Sequence, residues 1–512
     1  MSETASITID LGAVIAPVRR RLFGSFVEHL GRAVYTGIYE PGHATADEDG
    51  FRGDVLELTR ELGVSTVRYP GGNFVSGYRW EDGIGPKETR PRRLDLAWHT
   101  LETNEIGLDE FMRWARKAEI EPMLAVNLGT RGIQEAVDLL EYANHHGGTA
   151  LSELRRANGI EEPYGITMWC LGNEMDGPWQ TGHKTAYEYG RLAAETGRAM
   201  RQFDPALELV ACGSSSSSMP TFADWERTVL TEAFEQVDMI SLHAYYAEED
   251  GDLASFLASA VDMDRFVTTI VQIADEVAAA RTSEKQIMLS FDEWNVWYQK
   301  AAPSVPPSGT DWPQAPRLLE DHYSVADAVV VGGLLISLLR HSDRVAAASL
   351  AQLVNVIAPI MTEPDGVAWR QTTFHPFALT SRHAAGNVVL SAVDSPLVST
   401  SRFGDQAAVD AVSTWDEDSD ELTVFMVNRS TTDAVAVHIQ APGHKLSLLE
   451  AISLHDEDVY ARNTSADQER VIPRINLSAA ATSSGCGVEL PPASWSVIRL
   501  RTATSGHLQP NG

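Results

Sequence analysis

Eight short apolar runs constrain the fold of this chain more than any other feature. They cover residues 21–27, 65–69, 122–127, 165–171, 207–212, 239–243, 286–291 and 346–354. Each ends in polar residues, and most are followed by a segment with apolar residues at the 3.6-residue period, as in 107–118 (GLDEFMRWARKA). Further helical patterns cover 184–203, 256–281 and 322–339. A strand buried on both faces reads as an unbroken apolar run, because neither face meets water. Eight such strands alternating with helices predict an α/β fold, a (β/α)8 TIM barrel.

Beyond about residue 384 the helical period stops. Segments 422–427 (LTVFMV), 434–439 (AVAVHI) and 494–500 (SWSVIRL) read as half-buried strands, separated by Pro, Gly, Ser and Asp. They predict a C-terminal antiparallel β-sandwich, which the strand-like 6–10 (SITID) is free to join. The expected division is a barrel over 15–384, a sandwich from 1–14 plus 385–505, and a disordered tail at 506–512. A chain of 512 residues exceeds one ordinary core, which fits two units. The most apolar stretch, 325–339, is shorter than a membrane span and holds Asp327 and two glycines, so a buried helix is expected there.

Charge excludes some partners. The 71 Asp and Glu outnumber the 40 Lys and Arg, for a net charge of −31. That field repels nucleic acid and anionic lipid and tolerates a neutral ligand such as a sugar. The short basic run Arg90, Arg92, Arg93 does not reverse this. Three cysteines give no disulfide framework and point to a reducing compartment. Residues 1–12 lack the basic and apolar regions of a secretory signal, so a cytoplasmic location is expected. No HExxH, CxxC, Walker or GxSxG pattern occurs, and no cofactor or metal is expected. The acidic run 416–421 (DEDSDE) has Glu421 where a calcium loop needs glycine and Val427 where it needs an acid; it reads as a solvated turn. The serine run 214–218 reads as a polar strand-to-helix loop. The proline-rich 303–316 reads either as a wall of the barrel mouth or as a surface insert.

The chemistry lies in two glutamates at strand ends. Glu174 follows 165–171 within LGNE, and Glu293 follows 286–291 within FDEWN. Barrel enzymes place their active sites at the C-terminal ends of the strands. Two carboxylates there suit the acid and nucleophile of a glycoside hydrolase. The amide of Asn173 is suited to a sugar hydroxyl, and Trp297 offers an aromatic face for stacking. Other strand ends carry Glu28 and His29, Arg68 and Asn73, His243 and Tyr245, and Gln352 and Asn355. Buried polar groups there need partners, which sugar hydroxyls supply. Arg68 reads as an orienting partner of a carboxylate, and His29 and His243 as supporting residues rather than metal ligands, with His243 an orienting group. Trp98 reads equally as a subsite wall or as packing.

An ordered set of segments resembles glycoside hydrolase family 51, the α-L-arabinofuranosidases. These are 24–32 (GSFVEHLGR), 67–73 (VRYPGGN), 91–98 (PRRLDLAW), 102–104 (ETN), 171–179 (LGNEMDGPW), 292–298 (DEWNVWY) and 491–500 (PPASWSVIRL). The resemblance implies a barrel with a jelly-roll-like sandwich and a retaining double displacement, with Glu174 as acid/base and Glu293 as nucleophile. It implies that Glu28, Asn73, Asn173, Tyr245 and Gln352, with Arg68, contact the substrate or orient the nucleophile. The implied activity is exo-acting release of terminal α-L-arabinofuranosyl residues from arabinan or arabinoxylan fragments. The implied assembly is a homo-oligomer, often a hexamer. Two other readings stand beside it: another retaining barrel glycosidase, such as an endoglucanase or xylosidase, and a non-catalytic sugar-binding protein.

Overall fold

The computed structural model describes residues 3–299 and 305–504. The eight apolar runs supply eight parallel strands: β1 (Gly24–Phe26), β2 (Thr66–Tyr69), β3 (Glu121–Ala125), β4 (Met168–Leu171), β5 (Glu208–Ala211), β6 (Met239–Tyr246), β7 (Met288–Val296) and β8 (Val345–Leu350). They close into a barrel, with β8 hydrogen-bonded to β1. Its lower interior is filled by Met123, Met168, Cys170, Val210, Met239 and Ala347. Beneath them Arg21 bonds Glu121 at 2.8 Å and Glu208 at 2.7 Å, tying together the starts of β3 and β5. The barrel is therefore a packed core that opens only at the C-terminal ends of its strands.

A ten-stranded, mainly antiparallel sheet forms the second layer. Strand Glu3–Pro17 lies inside it, antiparallel to Asn387–Asp394 and parallel to Val435–Gln440. Alternate residues Ala5, Ile7, Ile9 and Leu11 of that strand face inward, the two-residue period of a strand with one buried face. Strand His444–Leu454, near one edge, touches Cys486–Leu490, near the other, so the sheet curls around a core that includes Ile7, Val424, Leu446 and Ile498.

Helix Val325–Arg340 joins the two layers. All its residues from Val325 to Leu339 are buried, as expected of a helix that is apolar on every side. Its first turn is held by Asp327, whose carboxylate accepts from the Ser324 backbone N–H at 2.6 Å and hydroxyl at 2.7 Å. Gly332 faces Trp495 of strand Ser494–Thr504 so closely that a Cβ would lie 2.1 Å from the indole Cδ1. Among the described residues no helix is long and apolar enough to cross a membrane.

Several boundaries differ from expectation: the fourth strand, expected from residue 165, begins at Met168, the eighth, expected over 346–354, ends at Leu350, and three further elements are reshaped. The first strand is shorter, because Arg20–Phe23 winds into a 3-10 turn that lets Arg20 bond the Ser381 carbonyl at 2.6 Å. The helix expected over 256–281 breaks into Leu253–Leu257 and Ala260–Ala280, where the Ser259 hydroxyl takes the Phe256 carbonyl at 2.6 Å. β7 does not stop before its glutamate: it runs on through Glu293 to Val296, with its register against β6 shifted between Ser290 and Glu293. Acidic 416–421 spans the turn between Val409–Asp416 and Glu421–Asn428, as expected. The tail 506–512, together with Pro303 and Ser304, lies outside the described residues.

Candidate active site

A cavity of about 560 Å³ opens at the C-terminal end of the barrel. Residues at or beyond the C-terminal ends of seven of the eight strands wall it, β3 being the exception. Glu28, Asn73, Trp98 and Gln352 line one part, and Glu174, Tyr245, Glu293 and Trp297 line another. Arg68, Asn173 and His243 are almost fully buried and hold these groups from behind. Eleven of the thirteen residues singled out from the sequence therefore meet at one place. Asn355 does not: its amide is turned to the Arg32 carbonyl and Thr362. His29 also lies outside the cavity wall, bonded to Glu102 at 2.9 Å and Tyr69 at 2.8 Å.

Register brings the two glutamates together. Glu293 on β7 stands opposite His243 on β6, and Asn295 opposite Tyr245. Two donors and an imidazole converge on Glu293. The Tyr245 hydroxyl donates to Oε2 at 2.6 Å, Arg68 Nη1 donates to Oε1 at 3.0 Å, and His243 Nδ1 lies 3.5 Å from Oε2. The same His243 nitrogen is 2.9 Å from Glu174 Oε1, so the imidazole bridges both carboxylates. Burial alone would lower the His243 pKa, but the Glu293 charge and the bond to Glu174 outweigh it, and the net direction is upward. One oxygen of each glutamate and the imidazole nitrogen lie within 4.8 Å of one another. Three ligand atoms so placed resemble a metal site, yet the Arg68 guanidinium against Glu293 opposes a cation there.

Glu174 sits just beyond β4 with φ +43°, a left-handed conformation that turns its side chain back over the barrel mouth. Its Oε2 accepts from the indole N–H of Trp179 at 2.8 Å. Asp176, two residues on, accepts from the Ser215 backbone N–H and hydroxyl, both at 3.0 Å, which ties the loop of Glu174 to the loop after β5.

Beneath Glu293 lies a polar layer. Arg68 Nη2 donates to Asn173 Oδ1 at 2.6 Å, and its Nε is 3.6 Å from Asp292. Asp292 also faces the Cys170 thiol at 3.6 Å. Burial, followed by the charge of Asp292, pushes the Cys170 pKa well up, so this is a neutral, inert thiol. Burial would lower the Arg68 pKa, but the surrounding negative groups raise it, and it stays charged.

Glu28 anchors the other wall. Its Oε1 accepts from Trp98 Nε1 at 2.6 Å and from the Phe74 backbone N–H at 2.9 Å, and its own N–H donates to Gln352 Oε1 at 3.1 Å. Complete burial raises its pKa well above the usual carboxylate range, against the pull of those donors. Gly72 permits this arrangement: at φ +64°, a Cβ would lie 2.0 Å from Glu28 Oε2. Trp98 is carried on a hairpin, Arg93–Asp95 with Thr100–Glu102, so it both packs and lines the cavity. The proline-rich segment clamps that hairpin, with Trp312 stacked on His99 at 3.6 Å between ring centroids and the Pro313 carbonyl accepting from Leu101. Pro306 lines the cavity, so this segment is a wall.

Sequence reasoning assigned no role to Trp179 or to Ser215, Ser216, Ser218 and Met219, which all line the cavity. Their signal was positional: both segments directly follow barrel strands, where barrel sites are built.

A closed parallel barrel with two carboxylates facing across a walled pocket at its strand ends is the architecture of a glycoside hydrolase. Two family signatures match, the alpha-L-arabinofuranosidase 1 domain over residues 58–266 and the alpha-L-arabinofuranosidase C-terminal domain over 292–494. An intracellular exo-α-(1→5)-L-arabinofuranosidase of Streptomyces lividans is 58% identical over 98% of this chain and 76% of its own length. An exo-α-(1→6)-L-arabinofuranosidase of Bifidobacterium longum is 56% identical over 98% of each. Among solved structures, a family 51 α-L-arabinofuranosidase from Bifidobacterium longum superposes with TM-score 0.93 at 51% identity, covering 98% of this chain and 100% of that one. The chain belongs to the α-L-arabinofuranosidases of glycoside hydrolase family 51.

Proposed function

We propose that this chain is a retaining, exo-acting α-L-arabinofuranosidase that releases terminal non-reducing arabinofuranosyl residues from short arabinose-containing oligosaccharides inside the cell. The observation that carries the mechanism is the approach of Glu174 and Glu293, with one oxygen of each within 4.8 Å. Retaining pairs stand about 5–5.5 Å apart, whereas inverting pairs need roughly 6.5–9.5 Å to admit a water. Walls at the ends of seven strands support exo action, because an endo-acting enzyme needs an open groove. The intracellular reading rests on the name of the Streptomyces lividans relative and on three buried free thiols, which suit a reducing compartment.

In the first step Glu293 attacks the anomeric carbon and Glu174 protonates the departing oxygen. Tyr245 and Arg68 fix the attacking carboxylate by one bond to each oxygen, so little orientation remains to be found in the transition state. Ester formation removes the charge of Glu293, which leaves Glu174 free to carry the negative charge near His243. It then takes a proton from water, and the hydroxide displaces Glu293. Among the described residues Asn173 Nδ2 is buried without a partner, and it is suited to a hydroxyl of the bound sugar. Homo-oligomeric assembly, hexameric by the family resemblance, is part of the proposal, and light scattering on the eluting protein measures it.

The test is turnover of 4-nitrophenyl α-L-arabinofuranoside beside the xyloside and glucoside. Release from the arabinofuranoside, abolished in Glu293→Ala, is expected. Glu174→Ala should retain activity on this good leaving group and gain rate with added azide. Near-normal activity in Glu293→Ala would refute the assignment of the nucleophile.

A further inference from the structure

We propose that the serine run after β5 is the leaving-group subsite of this enzyme, where the hydroxyls of Ser216 and Ser218 bind the sugar from which arabinose is cleaved. The proposal rests on the glycosidase reading above and assigns a role to a segment that the two-carboxylate mechanism does not use. The acid must touch the departing oxygen, so whatever surrounds the outer side of Glu174 meets the leaving group. Two elements surround it. One is Trp179, on the acid's own loop and bonded to its Oε2. The other is the serine loop, fastened to the acid's loop through the two bonds from Ser215 to Asp176.

The loop presents its serines unequally. Ser215, Ser216 and Ser218 line the cavity with Glu174 and Trp179, whereas Ser217 does not. Ser215 is buried and spends its hydroxyl on Asp176. Ser216 and Ser218 are open to solvent in part, and their hydroxyls bond each other at 2.8 Å. The Ser216 oxygen also accepts from the Ser218 backbone N–H at 3.1 Å, which holds the pair in one turn. Whichever hydroxyl donates, the pair keeps two acceptor sites in all and one proton that can turn to a ligand. Beside an exposed indole face, it forms a small polar and aromatic platform, the chemistry that recognises a pyranose or furanose ring and its hydroxyls. A 4-nitrophenyl group can use the indole but has no ring hydroxyls for the serines.

The double variant Ser216→Ala/Ser218→Ala tests this, with Ser217→Ala as control. The readout is the ratio of kcat/KM on an arabino-oligosaccharide to kcat/KM on 4-nitrophenyl α-L-arabinofuranoside. Loss of two hydroxyl contacts to the leaving sugar should lower that ratio about tenfold in the double variant. The Ser217→Ala ratio should stay at the wild-type value. Restoring hydroxyls as Ser216→Thr/Ser218→Thr should recover most of the ratio, which separates lost binding from a displaced loop. An unchanged ratio in the double variant, or an equal fall in Ser217→Ala, would overturn the subsite. Absence of turnover of the aryl arabinofuranoside by the unaltered protein would instead overturn the glycosidase reading and the subsite with it.

Discussion

Replacing Arg68 by lysine should cripple the enzyme while preserving its charge. Arg68 is 1% exposed, and its planar fork spans two acceptors at once, Glu293 at 3.0 Å and Asn173 at 2.6 Å. Its third nitrogen faces Asp292, and the guanidinium lies 5.6 Å from the centroid of the Phe26 ring. A lysine ammonium is a point donor on a different stem and reaches one side of that fork. Either Glu293 loses a donor or the Asn173 carbonyl is left buried and unpaired. One lost contact of this kind costs about 1–3 kcal/mol against the transition state. That corresponds to a fall of about 5- to 150-fold in kcat/KM. Most of it should appear in kcat, because the orientation of Glu293 matters more in the transition state than in substrate binding. Steady-state kinetics on 4-nitrophenyl α-L-arabinofuranoside measures it, with thermal unfolding as a check that the variant is folded at the assay temperature. A folded Arg68→Lys enzyme within threefold of wild-type kcat/KM would refute the argument that the fork positions the nucleophile.

Two further outcomes follow from buried groups. Burial pushes the Asp95 pKa up to about 7, although the Ala97 and Trp98 backbone N–H groups pull it down. The unfolded chain then ionises this carboxyl at lower pH than the folded protein does. Its contribution is therefore greatest in acid, and stability falls by about 3 kcal/mol as pH rises from 4 to 7. Asp95→Asn should remove that slope, as read from urea midpoints at pH 5 and pH 7.5; an identical slope in the variant would contradict it. Gly332→Ala should destabilise the protein by about 1–3 kcal/mol, because the new Cβ meets Trp495 where helix and sheet pack. An unchanged melting temperature would mean that the two layers separate at little cost.

The barrel was legible because each of its strands is buried on both faces and so appears as an unbroken apolar run. Elements set by single contacts were not. The break before Ala260 depends on one serine hydroxyl, and the shortened β1 on the reach of Arg20. Glu174 and Glu293 were legible from their place beside strand ends and from the family pattern around them. The bridging role of His243 was not, because it follows from the register that sets His243 opposite Glu293 across two strands. Trp98 could not be divided between packing and cavity wall until the hairpin carrying it was seen to place its indole N–H on Glu28. Trp179 and the serine loop were missed for a related reason: their chemistry arises where two loops fold back against one acid, and neither segment alone carries that signal.

The stereochemistry of the first-formed product tests the central claim most directly. Turnover of 4-nitrophenyl α-L-arabinofuranoside in dilute methanol traps the sugar as a methyl glycoside, whose anomeric configuration is read by NMR. Attack by Glu293 followed by displacement inverts the anomeric centre twice, so the α-glycoside is predicted. Formation of the β-glycoside would mean a single displacement and would contradict Glu293 as nucleophile.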